Sequence, residues 1–304
     1  MLALVVILNA LWGFSFTLGK MLLSYASPFF IVAARMMVGG LALLAYMFIR
    51  HRIHCKPRQS DLWLYFQQMV FGILIFYCVR QWGLQYVEAN KAALLCNLLP
   101  FFTATFAYFH FQERLNWMQV SGLIIGFIGT IPLLLTSSAY EQSVGGIGFI
   151  SWPELAIIIS VASLGYSIIV MQMLVKHRSC PAPLVNGCCM FVGGSLAFCW
   201  SSLAEPVWIR GDISTLLLLM GGQVVISSLI CSNLQAILLR HYSATFLSFA
   251  SFLSPLFTII YGYFLLGEQV TWNFFISFII VVSGLSLYHY KEFKHWLHSR
   301  HSHS

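Results

Sequence analysis

The chain has 304 residues, of which 59% are hydrophobic and 8% charged, with a mean hydropathy of +0.83. Sixteen Lys and Arg with nine Asp and Glu cannot clothe a water-soluble surface, since about a quarter of the residues in a soluble domain are charged; lipid is the solvent that resolves this. The net charge of +7 does not point to nucleic acid, because the basic residues fall in short clusters between apolar runs, the pattern of cytoplasmic membrane loops.

A bilayer core of about 30 Å takes about 20 helical residues. Runs near that length are predicted at 2–19, 28–49, 62–84, 90–111, 117–136, 153–175, 184–204, 214–238, 243–266 and 271–290, ten in all. The first begins without a basic segment and Lys20 follows it, which predicts a retained span rather than a cleaved signal peptide. Short polar breaks separate the runs; the longest, Ser137 to Trp152, carries Gly145-Gly146 and Gly148. Residues 291–304 form a polar tail, expected in the cytoplasm. The eight cysteines fall mostly inside apolar runs without zinc-ligand spacing, so they are read as packing residues, with no metal and no cofactor expected.

With ten spans both termini share one side. Loops on that side hold Arg50, Arg52, Lys56, Arg58, Arg114, Lys176, Arg178, Arg240, Lys291, Lys294 and Arg300, against Lys20 and Arg210 opposite. Eleven against two places both termini in the cytoplasm and the protein in a bacterial inner membrane.

The second half echoes the first. Pro100 and Glu113 are matched by Pro255 and Glu268 at an offset of 155, which also superposes Ala89 on Ala244, Tyr108 on Tyr263, Trp117 on Trp272 and Gly129 on Gly284. Gly39-Gly40 matches Gly193-Gly194 at 154, and Gly13-Phe14-Ser15 matches Gly165-Tyr166-Ser167 at 152. Five spans per half is an odd number, so the halves enter the membrane from opposite sides. The expected fold is therefore all-α integral membrane, ten transmembrane helices as two inverted five-helix repeats, 1–136 and 153–290. Inverted repeats are an architecture of secondary transporters, with the substrate near the midplane between the halves.

Leu8-Asn9-Ala10-Leu11-Trp12-Gly13, then Ser27-Pro28 followed by Arg35, then the paired segments Pro100 to Gly129 and Pro255 to Gly284 make the chain resemble the EamA-type proteins of the drug/metabolite transporter superfamily over nearly its whole length. The resemblance implies a central cavity lined by both halves and carriage of metabolites, amino acids, nucleosides or drugs. Two departures stand out: Arg114 has the uncharged Gln269 as its counterpart, and the basic residue often seen in the seventh span is replaced by Cys189 and Met190.

Charge inside a span is costly and reads as functional by default. Arg35, Arg80 and Lys91 lie within spans, and their counterparts are Cys189 or Met190, Gln235 and Phe246, none charged. They are read as a one-sided cationic vestibule for a carboxylate or phosphate, with snorkelling or pairing to Glu88 left open for Arg80 and Lys91. Tyr77, Arg80 and Gln81 share one face of span three at helical spacing. Asn90 and Asn97 share a face of span four, Asn97 being one turn before Pro100. Pro100 and Pro255 should bend their helices and free carbonyls toward a cavity, Pro255 near Ser251 and Ser254. Trp12 and Ser15 share a face of span one, Tyr166 stands near the equivalent place in span six, and Ser227, Cys231 and Gln235 form a polar stripe in span eight. The expected substrate site is thus Trp12, Arg35, Tyr77, Arg80, Gln81, Lys91, Asn97, Tyr166 and Gln235. Trp63, Trp117, Trp152 and Trp272 are read as interfacial, Gly122 and Gly126 as close helix packing, and Glu113 and Glu268 as capping or loop-anchoring residues.

No Asp lies in a span, and the glutamates sit at span ends, in loops or in the tail, so a facilitator or exchanger is expected over a proton-driven pump, His110 being the other candidate proton carrier. Neither paired carboxylates nor a nucleophile set argues for an enzyme; a non-transporting scaffold would not need the duplication. The expected partners are the lipid bilayer and a small organic substrate, an amino acid or a nucleoside-like metabolite such as S-adenosylmethionine, which members of the resembled family carry. Homodimerisation stays open.

Overall fold

The computed structural model describes residues 2–49, 59–111, 116–134, 144–147, 150–251, 253–267 and 272–288. Glu113, Glu268, the Arg114–Gln269 comparison, the side chain of Asn90 and the tail 291–304 lie outside the described residues. The fold is helical: α1 (Leu2–Leu22), α2 (Pro28–Ile49), α3 (Gln59–Leu84), α4 (Ala89–Leu95, a 3-10 turn Cys96–Leu98, then Leu99–Phe111), α5 (Trp117–Leu134), α6 (Trp152–His177), α7 (Ala182–Ala204), α8 (Ile213–His241), α9 (Ala244–Ala250, then Leu253–Tyr261 and Gly262–Leu266) and α10 (Trp272–Tyr288). Among the described residues, eight of these, all except α5 and α10, are long and apolar enough to cross a membrane. A small hairpin, β1 (Gly146–Ile147) and β2 (Ile150–Ser151), precedes α6 in what the sequence presents as a plain loop.

Helix ends are fixed by local chemistry. α6 opens with a capping box, in which Glu154 N–H donates to Ser151 Oγ at 3.3 Å and Ser151 N–H donates to Glu154 Oε2 at 2.6 Å. Asp212 caps α8 by accepting from Thr215 N–H at 2.8 Å, and that bond holds its carboxyl below the usual carboxylate range. The Glu205 carboxylate accepts from Phe29 N–H at 2.9 Å and Phe30 N–H at 3.0 Å, anchoring the start of α2 to the end of α7 and meeting the positive end of the α2 dipole. Gly267, at φ 66°, closes α9 in the left-handed conformation that glycine adopts without a steric penalty.

Two irregularities recur at places about 155 residues apart. α3 widens into a π-helix over Val70–Val79, and α8 does so over Val224–Cys231. α4 tightens to a 3-10 turn at Cys96–Leu98 just ahead of Pro100, and α9 breaks after Ala250 ahead of Pro255. A proline cannot donate to the carbonyl four residues back, which here belongs to Cys96 and Ser251, and both residues line the central cavity.

Helix packing shows matched pairs at the same spacing. α2 lies along α7, and α5 along α10; α1 crosses α9 as α6 crosses α4; α8 packs on α1 and α2 as α3 packs on α6 and α7. A methyl group at Gly13 would sit 2.9 Å from Phe257 Cβ and 3.0 Å from Thr258 N, and one at Gly165 would sit 2.9 Å from Phe102 Cβ and 3.1 Å from Thr103 N. Beside these crossings Phe14 meets Tyr261 edge-on at 5.2 Å, and Tyr166 meets Phe106 edge-on at 5.4 Å.

Candidate functional site

A cavity of about 120 Å³ lies where α1, α3, α4, α6, α7, α8 and α9 converge. It is displaced toward one end of the bundle. On α6 its wall runs from Leu164 to Met171, on α7 it holds Asn186 and Met190, and on α8 it runs from Ser232 to Leu239, whereas the opposite ends of these three helices contribute nothing to it.

One side of the wall is aromatic and cationic. Arg80 is 2% exposed, and its guanidinium carbon lies 4.6, 4.8 and 5.2 Å from the ring centres of Phe16, Phe76 and Tyr77. These ring faces stabilise the cation but do not occupy its donors, and Arg80 Nε has no hydrogen-bond partner. Among the described residues Arg80 is the one charged side chain on the wall. Outside the cavity lining, Arg35 is 1% exposed with its guanidinium carbon 4.5 Å from the ring centre of Tyr77, and its Nε and Nη2 are unpartnered. Two guanidiniums therefore flank one phenol ring in a low-dielectric interior. The rest of the wall supplies amides and hydroxyls: Asn9, Gln68, Ser167, Asn186, Ser232 and Gln235. Ser167 Oγ donates to Gln68 Oε1 at 3.2 Å, and Asn186 Nδ2 donates to Asn233 Oδ1 at 3.1 Å.

The other end of the bundle is sealed by polar locks. Lys91 Nζ lies 2.5 Å from Glu154 Oε1, with side-chain exposures of 7% and 0%. Lys20 Nζ donates to the carbonyls of Leu84 and Val87 at 2.6 Å each, and Gln81 Nε2 donates to Gly19 O at 2.8 Å.

Of the residues singled out from sequence, Trp12, Tyr77, Arg80, Gln235 and Pro255 meet on the cavity wall. Gln81 does not: it ties α3 to α1. The sequence placed it with Tyr77 and Arg80 by assuming 3.6 residues per turn, but the π-helix before Arg80 has a wider turn and shifts the facing residues. Lys91 is not a free vestibule charge, because it is paired across the halves to Glu154 rather than to Glu88. Arg35 reaches the wall only through Tyr77. Asn97 is buried beside the cavity without lining it, its Nδ2 unpartnered, and Pro100 is buried behind Cys96. Tyr166 is held edge-on by Phe71 and Phe106 and by His110, outside the wall. His110 is exposed and likewise outside it.

The sequence profile of the EamA-like transporter family matches residues 1–135 and, a second time, residues 151–290. The chain belongs to the EamA-like transporter family. The transporter is 29% identical over 294 residues to the S-adenosylmethionine/S-adenosylhomocysteine transporter of Chlamydia muridarum (strain MoPn / Nigg), covering 95% of this chain and 92% of the relative. It is 28% identical to the protein of the same description from Chlamydia trachomatis serovar L2, covering 95% and 89%. An uncharacterized transporter of Bacillus subtilis (strain 168) is 24% identical over 95% of this chain and 91% of its own length. A protein of known crystal structure, 18% identical, superposes with a TM-score of 0.68 over 94% of this chain and 96% of that one, so the transporter shares its fold.

The wall residues that sequence reasoning passed over include Phe16, Phe76, Gln68 and Ser167. A signal for two of them was present: Gln68 and Gln223 are mid-span amides 155 apart, and Ser15 and Ser167 are matched at 152. The aromatic pair carries no such mark in a chain that is 16% aromatic.

Proposed function

We propose that the chain is a ten-helix carrier built from two inverted five-helix repeats, 1–136 and 153–290, that moves a carboxylate-bearing organic metabolite across the membrane by alternating access. α5 and α10, 18 and 17 residues long, complete the ten spans, and the eleven-to-two division of basic residues supports cytoplasmic termini, with 291–304 as a tail on the same side. The second match of one family profile, the matched Gly13 and Gly165 crossings and the matched irregularities of α3 and α8 support the repeat.

The observation that carries the substrate reading is Arg80: a desolvated guanidinium on the wall, with no carboxylate beside it on that wall among the described residues. A buried charge is strongly stabilised by a partner, and an incoming carboxylate is that partner. Tyr77, Phe16 and Phe76 offer ring faces, and the amides of Gln68, Asn186 and Gln235 suit a heterocycle edge. Amino-acid conjugates with a flat base fit this division, and S-adenosylhomocysteine is the probe of choice. Because the wall carries a positive charge, the zwitterionic S-adenosylhomocysteine should be held more tightly than the sulfonium S-adenosylmethionine.

Uptake of both compounds into proteoliposomes tests this. Saturable uptake that Arg80→Ala abolishes for S-adenosylhomocysteine, while sparing its decarboxylated analogue, is the expected result. Equal loss for both analogues, or no saturable uptake of any carboxylate-bearing metabolite, would overturn it.

A further inference from the structure

The cavity uses only one member of several repeat-related sets. Gln68 and Ser167 line it and are bonded to each other. Their counterparts Gln223 and Ser15 are also bonded to each other, with the direction reversed, Gln223 Nε2 donating to Ser15 Oγ at 3.2 Å, but both are buried away from it, at 0% and 1% exposure. About one turn further along α8, the adjacent Ser227 and Ser228 are also fully buried, and neither hydroxyl has a hydrogen-bond partner; Gln223 Oε1 has none either. Their counterparts Gly72 and Ile73 are wall residues.

Unpartnered polar groups in a sealed interior cost stability and call for an explanation. Packing does not supply one. α2 approaches α8 so closely here that a methyl group on Gly39 would lie 2.7 Å from Ser228 Cβ, a contact that alanine would make equally well. What the hydroxyls add is solvation and hydrogen bonding in some other conformation.

We propose that Ser15, Gln223, Ser227 and Ser228 are the substrate-contacting wall of the opposite-facing conformation, taking over the positions that Ser167, Gln68, Gly72 and Ile73 hold here. This rests on the inverted-repeat reading. The ligand surface they offer is neutral and hydroxyl-rich, suited to a sugar or amide edge. Arg80 and Gln235 are repeat-related to each other, as are Tyr77 and Ser232, and all four are on the present wall. They are the shared centre of the site, which cargo touches in both conformations while the flanking wall is exchanged.

Two native cysteines report on the exchange without any substitution. Cys96 is a wall residue, and Cys231, the counterpart of the wall residue Phe76, is a free thiol at 0% exposure on the proposed second wall. Cys180, between α6 and α7, marks the face toward which the present cavity lies. A membrane-impermeant maleimide is applied to either face of uniformly oriented proteoliposomes, and the modified peptides are read by mass spectrometry. Cys96 should react from the Cys180 face, and Cys231 from the opposite face only. Cys231 reacting from the same face as Cys96 would overturn the inverted relation itself. Ser167→Cys and Ser227→Cys repeat the test at the exchanged positions; modification of the first with silence of both Cys231 and Ser227→Cys from either face would overturn the second wall while leaving the repeat intact. The double variant Ser227→Ala/Ser228→Ala should raise the Tm and lower turnover several-fold, because it relieves the described conformation and impoverishes the other. An unchanged Tm and unchanged turnover would count against the proposal.

Discussion

The two ends of the bundle are closed by different chemistry. At the end away from the cavity, Lys91 and Glu154 join α4 to α6 at 2.5 Å with both side chains buried. At the end toward which the cavity lies, an ionic contact among the described residues joins Arg178 to Asp61 at 3.5 Å, with the arginine 49% exposed. A repeat that was symmetric in sequence would not produce this. The counterpart of Lys91 is Phe246, which at that end stacks on Tyr242 at 4.8 Å. One end is held by directional, desolvated charge and the other by rings and a wet ion pair, so the described conformation is the one in which the stronger closure is shut.

The sharpest way to break this comparison is to remove one member of the buried pair. Glu154→Gln leaves Lys91 buried against a neutral amide, and breaking such a pair costs about 3–5 kcal/mol; it should lower the Tm in detergent and raise the maleimide reactivity of Cys231. Next in size, Arg80→Gln gives the wall the same side chain as its counterpart Gln235. Loss of a charge-assisted bond to cargo is worth about 1.5–3 kcal/mol, so Kd for S-adenosylhomocysteine by titration calorimetry should rise about tenfold to a hundredfold. Gly13→Ala and Gly165→Ala each drive a methyl into a neighbouring helix, at about 1–3 kcal/mol for overpacking. If the halves are equivalent at these crossings, the two Tm losses should match within experimental error; a large inequality would mean that one crossing is the firmer. The smallest effect belongs to Asp61→Asn, where a half-solvated pair is worth about 1 kcal/mol or less, and a Tm loss comparable to that of Glu154→Gln would erase the distinction between the two ends.

The all-helical, membrane-spanning character was legible in the sequence, because span length and hydropathy are dictated by the bilayer, and the close crossings at Gly13 and Gly165 fall where spacing alone matches them. Arg80 was legible for the same reason: a lone charge in an apolar run has few innocent explanations. Lys91 was not, because its partner Glu154 lies 63 residues on, at the start of α6, where a glutamate looks like an ordinary helix cap. It is that cap, and its second oxygen is spent on the lysine. Gln81 misled because the widening of α3 into a π-helix leaves no trace in hydrophobic periodicity. Ser227 and Ser228 were visible as polar residues in a span, yet the sequence does not say on which conformation's wall they stand.

The guanidinium of Arg80, which has no carboxylate beside it on the wall among the described residues, has a kinetic consequence. A carrier must carry its site past the closed state twice per cycle, once loaded and once unloaded. On the proposed reading, loaded Arg80 meets a carboxylate inside the low-dielectric passage; unloaded, it must make the same journey with only ring faces beside it, against a higher barrier. That reading predicts a return leg that is quicker with a second carboxylate aboard. Radiolabelled S-adenosylhomocysteine trapped inside vesicles should leave several times faster when unlabelled compound is present outside, and Arg80→Gln should flatten that difference. One charge on the cavity wall would then be enough to turn a two-way door into a turnstile that counts one molecule out for each one in.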